Sequence, residues 1–153
     1  MFYGPLLALC AATKSAYDAM VRQHSSDGSL ATFIRGIKED PSGAEGVAYR
    51  HWIRCVLQPL NEKAADVIVN HLNLLESRVI HPSLLQLVAH VSSMRVIIRG
   101  WEEGRLSEWS AVTYPDGLLS YIEVEFKAIK KRQAELLGIS EATTEGAVLK
   151  AKL

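Results

Sequence analysis

The chain has 153 residues, of which 48% are apolar and 22% charged. This length suits one compact domain, and the apolar content excludes a disordered chain, which has low hydrophobicity and high net charge. Lys plus Arg and Asp plus Glu number 17 each, so the formal net charge is zero. Because nucleic-acid-binding proteins carry a basic excess that displaces counterions from phosphates, the charge balance predicts no nucleic-acid partner.

The N-terminal part is predicted to form two helices. The apolar spacing predicts a helix from Pro5 to His24, and the polar stretch Ser25–Gly28 ends it. A short connecting helix is expected from Leu30 to Lys38, with Leu30 among its inward-facing residues.

A third, longer helix is predicted from Gly43 to about Glu76, with Ser42 and Glu45 as a capping box at its start. Pro59 lies inside this helix. Proline lacks a backbone donor and clashes with the preceding turn, so a kink is expected there. Because the apolar stripe continues through the proline, we expect a bent but continuous helix.

Two further helices carry apolar residues at alternating spacings of three and four, a pattern that strands cannot produce. One is predicted from Ser83 to Glu103, with Gly104 as its stop, and the other from Pro115 to Leu137, with Gly138 as its stop. Thr113 and Asp116 form the expected cap of the last helix. The two seams are Leu84, Leu87, Val91, Met94, Ile98 and Trp101, and Leu119, Ile122, Phe126, Ile129, Gln133 and Leu136.

Together these patterns predict an all-α fold. We expect an antiparallel helical bundle of four long helices plus one short connecting helix, the third helix being kinked at Pro59. Residues 1–139 would form this single domain, and residues 140–153 a flexible or weakly helical C-terminal tail.

The motifs of common enzyme and cofactor sites are missing. The sequence has no glycine-rich phosphate loop, no G-x-S-x-G elbow and no H-E-x-x-H helix. Di-iron bundles need Glu three residues before His, and Ile68 and Leu87 occupy those positions before His71 and His90. We therefore expect no cofactor, and the absences favour a non-enzymatic protein.

A cluster of polar and aromatic residues surrounds Pro59. Arg and Trp are favoured at protein interfaces, and a kinked helix leaves backbone carbonyls unpaired. The predicted binding surface consists of Arg50, His51, Trp52, Arg54, Gln58 and Asn61.

A metal site is the alternative in the same region. His51 and Cys55 lie one helical turn apart, as do Glu62 and Asp66, and these are metal-ligating residue types. Both pairs also have a purely structural interpretation. His51 and Cys55 can be a boundary histidine beside a core cysteine, and Glu62 and Asp66 can be carboxylates on a solvated helix face. His90 lies at the edge of a seam, where a hydrogen-bonded structural histidine is expected, with ligand binding as its alternative.

The two cysteines, Cys10 and Cys55, are far apart in apolar surroundings, which predicts a reducing, cytoplasmic location. No stretch reaches the ~18–20 continuous apolar residues that a membrane span requires. The sequence is compatible with an upstream membrane anchor.

Several short segments resemble those of uncharacterised bacterial all-helical proteins, and the resemblance covers most of the chain. Some of those proteins carry an upstream membrane anchor, and the resemblance implies no functional residues. The segments are Phe2-Tyr3-Gly4-Pro5-Leu6, Gln58-Pro59-Leu60-Asn61, Leu84-Leu85-Gln86-Leu87-Val88-Ala89-His90-Val91, Tyr114-Pro115 and Gln133-Ala134-Glu135-Leu136-Leu137-Gly138.

These observations favour a non-enzymatic helical domain that acts through protein–protein contact and associates with itself, because its apolar faces are wider than a bundle seam. One alternative is a bundle that binds a small molecule or a metal between its helices. Another is the cytoplasmic part of a membrane-tethered sensor.

Overall fold

The computed structural model describes residues 2–75 and 79–139. Within these ranges every regular element is helical and there is no strand, so the predicted all-α class is confirmed. None of their helices combines the length and apolar character that crossing a membrane requires. Glu76, the predicted end of the third helix, and the predicted tail 140–153 lie outside the described residues.

The described residues contain six α-helices instead of the five helices predicted, because the expected third helix is divided. The helices are α1 (Tyr3–His24), α2 (Leu30–Glu39), α3 (Ala44–Trp52), α4 (Gln58–His71), α5 (Pro82–Glu102) and α6 (Leu118–Leu136). A π-helical turn, Ile53–Leu57, joins α3 to α4, and a 3-10 turn, Leu72–Leu74, follows α4.

The π turn lies directly before Pro59. The backbone N–H of Gln58 donates to the carbonyl of Ile53, five residues earlier. In an α-helix it would donate to the carbonyl of the residue four positions earlier. In an α-helix the proline ring would press against the carbonyl of Cys55, four residues before it. The wider turn accommodates the proline, so the irregularity expected at Pro59 takes the form of a changed hydrogen-bond pattern in the preceding turn.

Two predicted caps are wrong. The hydroxyl of Ser42 donates to the carboxylate of Asp40 at 2.8 Å, and α3 begins after Gly43 without a side-chain cap. Likewise α6 begins after Gly117, whose φ of 73° needs a glycine, so Thr113 and Asp116 do not cap it. In the first case Ser42 lies one residue before the N-cap position, Gly43, and its hydroxyl is oriented toward the charged Asp40 carboxylate.

Buried side chains form two clusters along the molecule. The first includes Leu6, Ile68, Leu87 and Ile122 from α1, α4, α5 and α6. The second joins α1, α2, the π turn and α5 through residues such as Met20, Phe33, Leu57, Met94 and Trp101. The space between α1, the π turn and α5 is incompletely filled, and there the candidate site lies.

The predicted seams are confirmed in part. Leu84, Leu87, Val91, Met94 and Trp101 are buried, while Ile97 is buried in place of the half-buried Ile98. In α6, Ile122 is buried, but Leu136 is 87% exposed. Leu30 of α2, which was predicted to face inward, is 48% exposed. The last turn of α6 extends past the helices that cover its first half.

Two substitutions in one predicted seam should therefore differ in effect. Ile122→Ala removes a fully buried side chain and should lower the free energy of unfolding by about 2–5 kcal/mol. Leu136→Ala should change it by less than about 0.5 kcal/mol, because that side chain is exposed. Urea denaturation of both variants measures the difference, and equal losses would show that α6 is buried to its end.

Candidate functional site

A cleft of about 600 Å³ lies between α1, the α3–π–α4 segment, α5 and the loop 103–117. This volume is in the range of small-molecule sites, which are mostly apolar with a few placed polar groups. Its walls have that character. They include Cys10, Thr13 and Tyr17 of α1, Tyr49, Ile53, Leu57 and Asn61 of the α3–π–α4 segment, His90, Met94, Ile97 and Trp101 of α5, and Trp109, Ser110, Val112 and Tyr114 of the loop.

The π turn sets which side chains face the cleft. Tyr49, Ile53, Leu57 and Asn61 all line it at intervals of four residues. In an uninterrupted α-helix each interval overshoots a full turn by about 40°, which would put Asn61 about 120° away from Tyr49. The additional residue in the π turn reverses most of this drift, so both ends of the segment face the same space.

Polar side chains on one face of α5 hold the loop 103–117 in place. The shortest of these hydrogen bonds joins His90 Nδ1 to the carbonyl of Val112, at 2.7 Å. The others join Ser93 to Ser110, Gln86 to the carbonyl of Thr113, and Trp101 to the carbonyl of Glu108. The loop is therefore anchored along about four turns of the helix and forms a fixed wall of the cleft.

His90 is held in its neutral form. Burial lowers its pKa, and the hydrogen bond to the Val112 carbonyl opposes this effect only in part. Since a carbonyl accepts, Nδ1 carries the proton and Nε2 keeps its lone pair. The ring of Tyr114 packs edge-on against it, with centroids 5.7 Å apart. The structural role expected for His90 is confirmed.

Cys10 is buried beside Tyr114 in the cleft wall. Burial raises the pKa of the Cys10 thiol to about 11, although the Tyr114 hydroxyl partly opposes the shift. The pKa of Tyr114 is raised too, first by its own burial. Because the thiolate is the reactive form of cysteine, Cys10 is an unreactive wall residue at neutral pH.

Thr13 and Asn61 are polar residues at the buried side of the cleft, with exposed fractions of 7% and 6%. The Thr13 hydroxyl lies 3.0 Å from the carbonyl of Leu9 and 3.3 Å from Asn61 Oδ1. In the described part of the chain Asn61 Nδ2 has no hydrogen-bond partner, whereas every fully enclosed side-chain nitrogen or oxygen there has one. Nδ2 is therefore accessible, and the cleft is the space that its side chain lines.

Aromatic side chains close one end of the cleft. Trp109 of the loop stacks on Tyr49 of α3 with ring centroids 5.3 Å apart, and Trp101 packs edge-on against Tyr49 at 5.8 Å. Lys38 Nζ lies 5.7 Å from the centre of the Trp109 ring. The loop is thus bound to α3 as well as to α5. Reasoning from the sequence did not identify this contact.

The structure distributes the six predicted binding residues over different sides of the α3–π–α4 segment. His51 and Arg54 are exposed, whereas Gln58 and Asn61 are buried. Arg50 donates to the carbonyl of Pro41, Trp52 to His24, and Gln58 to Glu62 and the carbonyl of Val91. Of the six, only Asn61 lines the cleft, and partner binding by the others stays a prediction.

The predicted metal ligands are not brought together as a set. His51 Nδ1 lies 3.9 Å from Cys55 Sγ, while Glu62 accepts from Arg95 Nε at 3.1 Å and Asp66 is exposed. Residues 2–75 and 79–139 contain no group of three or more His, Cys, Asp and Glu side chains that could hold a metal ion. A pair supplies two ligands, whereas zinc sites use three or four.

No family model, curated protein or solved structure matches this chain. The cleft and its side chains are therefore the basis for assigning a function.

The neutral state of His90 predicts a pH dependence of stability. Because the pKa of folded His90 lies below its ordinary value of 6.5, the unfolded chain takes up the proton first as the pH falls. The stabilising contribution is complete above that value and is lost as the pH falls through the folded pKa. His90→Asn, whose amide nitrogen can replace Nδ1 as donor, should lose less stability than the wild type between pH 7.5 and 5. Denaturation curves at both pH values measure this, and equal losses would contradict the neutral assignment.

Proposed function

We propose that this protein is a non-enzymatic binding domain that holds one small organic molecule in the cleft between α1, the α3–π–α4 segment, α5 and the loop. The main support for this proposal is the cleft of about 600 Å³, which has mostly apolar walls and a few polar groups. This is the small-molecule alternative from the sequence, and no metal takes part in it.

The chemistry of the walls supports binding over catalysis. A nucleophile or general base needs a pKa matched to its task and a partner that activates it. Cys10 is a buried thiol with a raised pKa, and burial lowers the pKa of His90, which weakens its Nε2 as a base. Both groups form part of the cleft walls, and neither is activated for reaction.

A neutral fluorescent probe tests the proposal. N-phenyl-1-naphthylamine, which brightens in apolar surroundings, should bind with one-to-one stoichiometry. Ile97→Trp places a larger side chain in the cleft and should weaken probe binding at least tenfold. Val96→Trp is the matched control, because Val96 precedes Ile97 but is 66% exposed.

Circular dichroism would show that both variants fold. If Ile97→Trp does not fold, Ile97→Phe provides a smaller obstruction. Absence of saturable probe binding to the wild type would contradict the proposal. Equal binding by the folded Ile97 and Val96 variants would contradict the location.

Self-association is the second candidate function, and the exposed end of α6 favours it. Leu136, Leu137 and Ile139 are 87%, 75% and 61% exposed, and adjacent exposed apolar residues mark interaction sites. Two copies that cover this end would hide apolar surface from water.

The double substitution Leu136→Glu and Leu137→Glu should convert a dimer into a monomer in sedimentation experiments, since it places charges in the shared contact. Val124→Glu, on the same helix and 64% exposed, should leave the dimer intact. A monomeric wild type at high concentration would rule out this interface.

We also infer that the helices form the antiparallel bundle expected from the sequence, with α3, the π turn and α4 acting as one long helix. The contacts of α1 with α4 and α6, and of α4 with α5, support this arrangement. We also propose that the protein is bacterial and cytoplasmic. This proposal is supported by the resemblance noted above and by the free state of Cys10 and Cys55.

A further inference from the structure

Asn61 brings an unused hydrogen-bond donor into the cleft. Its side chain is 6% exposed, its Oδ1 faces the Thr13 hydroxyl at 3.3 Å, and Nδ2 has no partner among the described residues. Because Nδ2 is accessible from the cleft, a ligand group that accepts from it can replace water as its partner. The complementary ligand group is an acceptor, such as a carbonyl oxygen or a ring nitrogen.

The charged residues at the cleft indicate that the ligand is neutral. Lys14 and Asp18 pair with each other at 2.9 Å, and their side chains are 63% and 47% exposed. Asp116, the third charged residue of the lining, is exposed as well. An ionised ligand group would lose its hydration on entering this cleft. It would find no buried partner of opposite charge there, so its binding would cost free energy.

Aromatic residues are concentrated in the lining. Stacked and edge-on aromatic contacts add to the free energy of apolar burial, so such walls favour a flat ring over an alkyl chain. The near-parallel pair of Trp109 and Tyr49, with 29° between their planes, already has this geometry within the protein. The aromatic residues of the lining are Tyr17, Tyr49, Trp101, Trp109 and Tyr114.

We propose that the ligand is a neutral aromatic molecule with a hydrogen-bond acceptor, and that Asn61 recognises this acceptor through Nδ2. This inference rests on the proposed binding function and specifies the class of its ligand. The aromatic residues pack against the ring, and Asn61 distinguishes a ligand with an acceptor from an apolar analogue of the same shape.

Four related compounds test the three parts of this class. 2-Acetylnaphthalene carries the ring and the acceptor, 2-ethylnaphthalene lacks the acceptor, 2-naphthoate carries a charge, and 2-acetyldecalin lacks the aromatic ring. Isothermal titration calorimetry should show the ketone binding about 3- to 10-fold more tightly than the ethyl compound, as expected for one net hydrogen bond. The naphthoate should bind at least tenfold more weakly than the ketone, and the decalin at least threefold more weakly.

Asn61→Leu tests the role of the amide. Leucine has the same branched shape without the amide, and the Thr13 hydroxyl keeps the Leu9 carbonyl as its acceptor. In this variant the ketone and the ethyl compound should bind equally. Asn70→Leu, an exposed position of the same helix, should retain the wild-type preference.

If Asn61→Leu does not fold, the side-chain amide signal of Asn61 in the wild type gives the same information. In magnetic resonance spectra that signal should move further downfield with the ketone than with the ethyl compound, because only the ketone accepts from Nδ2.

The results separate the two proposals. Equal binding of the ketone and the ethyl compound to the wild type, or tighter binding of the naphthoate or the decalin, would overturn the ligand class and leave the binding function standing. If neither the fluorescent probe nor any of the four compounds binds, the binding function and the ligand class both fail.

Discussion

The ring of Pro59, which would press against the Cys55 carbonyl in a regular α-helix, is the constraint on which the cleft depends. The π turn that precedes this proline changes the hydrogen-bond partner of Gln58 to Ile53 and shifts the phase of α4 relative to α3. Because of this shift, Tyr49 and Asn61 line the same space, although twelve residues separate them in the sequence. Tyr49 in turn supports Trp109, so the position of the loop depends on the same turn.

The polar face of α5 is a second determinant. Gln86, His90 and Ser93 interrupt a helix whose other side is apolar, and each bonds to the loop instead of to water alone. A bundle can form without these contacts, since they stabilise no helix–helix interface. They fix a wall of the cleft, and so they support the binding function that we propose.

Much of the fold could be predicted from the sequence. The spacing of apolar residues gave the helices to within a few residues, and Gly104 and Gly138 follow α5 and α6 with φ values of 90° and 69°. The predictions were wrong where tertiary contacts determine burial and hydrogen bonding. Leu136 has the spacing of a core residue but is 87% exposed, and Ser42 donates to Asp40 instead of capping α3.

The candidate site was harder to predict, because closeness in sequence was taken for closeness on a surface. Residues 50–61 span several turns around an irregular helix, and their side chains point in different directions. Asn61 was singled out for flanking a kink, whereas its setting in the structure depends on Thr13 of α1. No local pattern reports that pairing, nor the stacking of Trp109 on Tyr49.

The walls of the cleft come from nearly the whole described chain, from Cys10 to Leu119. A molecule bound there contacts segments that come together only in the folded domain, so it binds the native state alone. Its binding energy is then added to the cooperative stability of the whole domain, by about 2.7 kcal/mol at a ligand concentration of one hundred times Kd. The occupied protein would resist unfolding and proteolysis as a unit, which couples its persistence in the cell to the supply of the ligand.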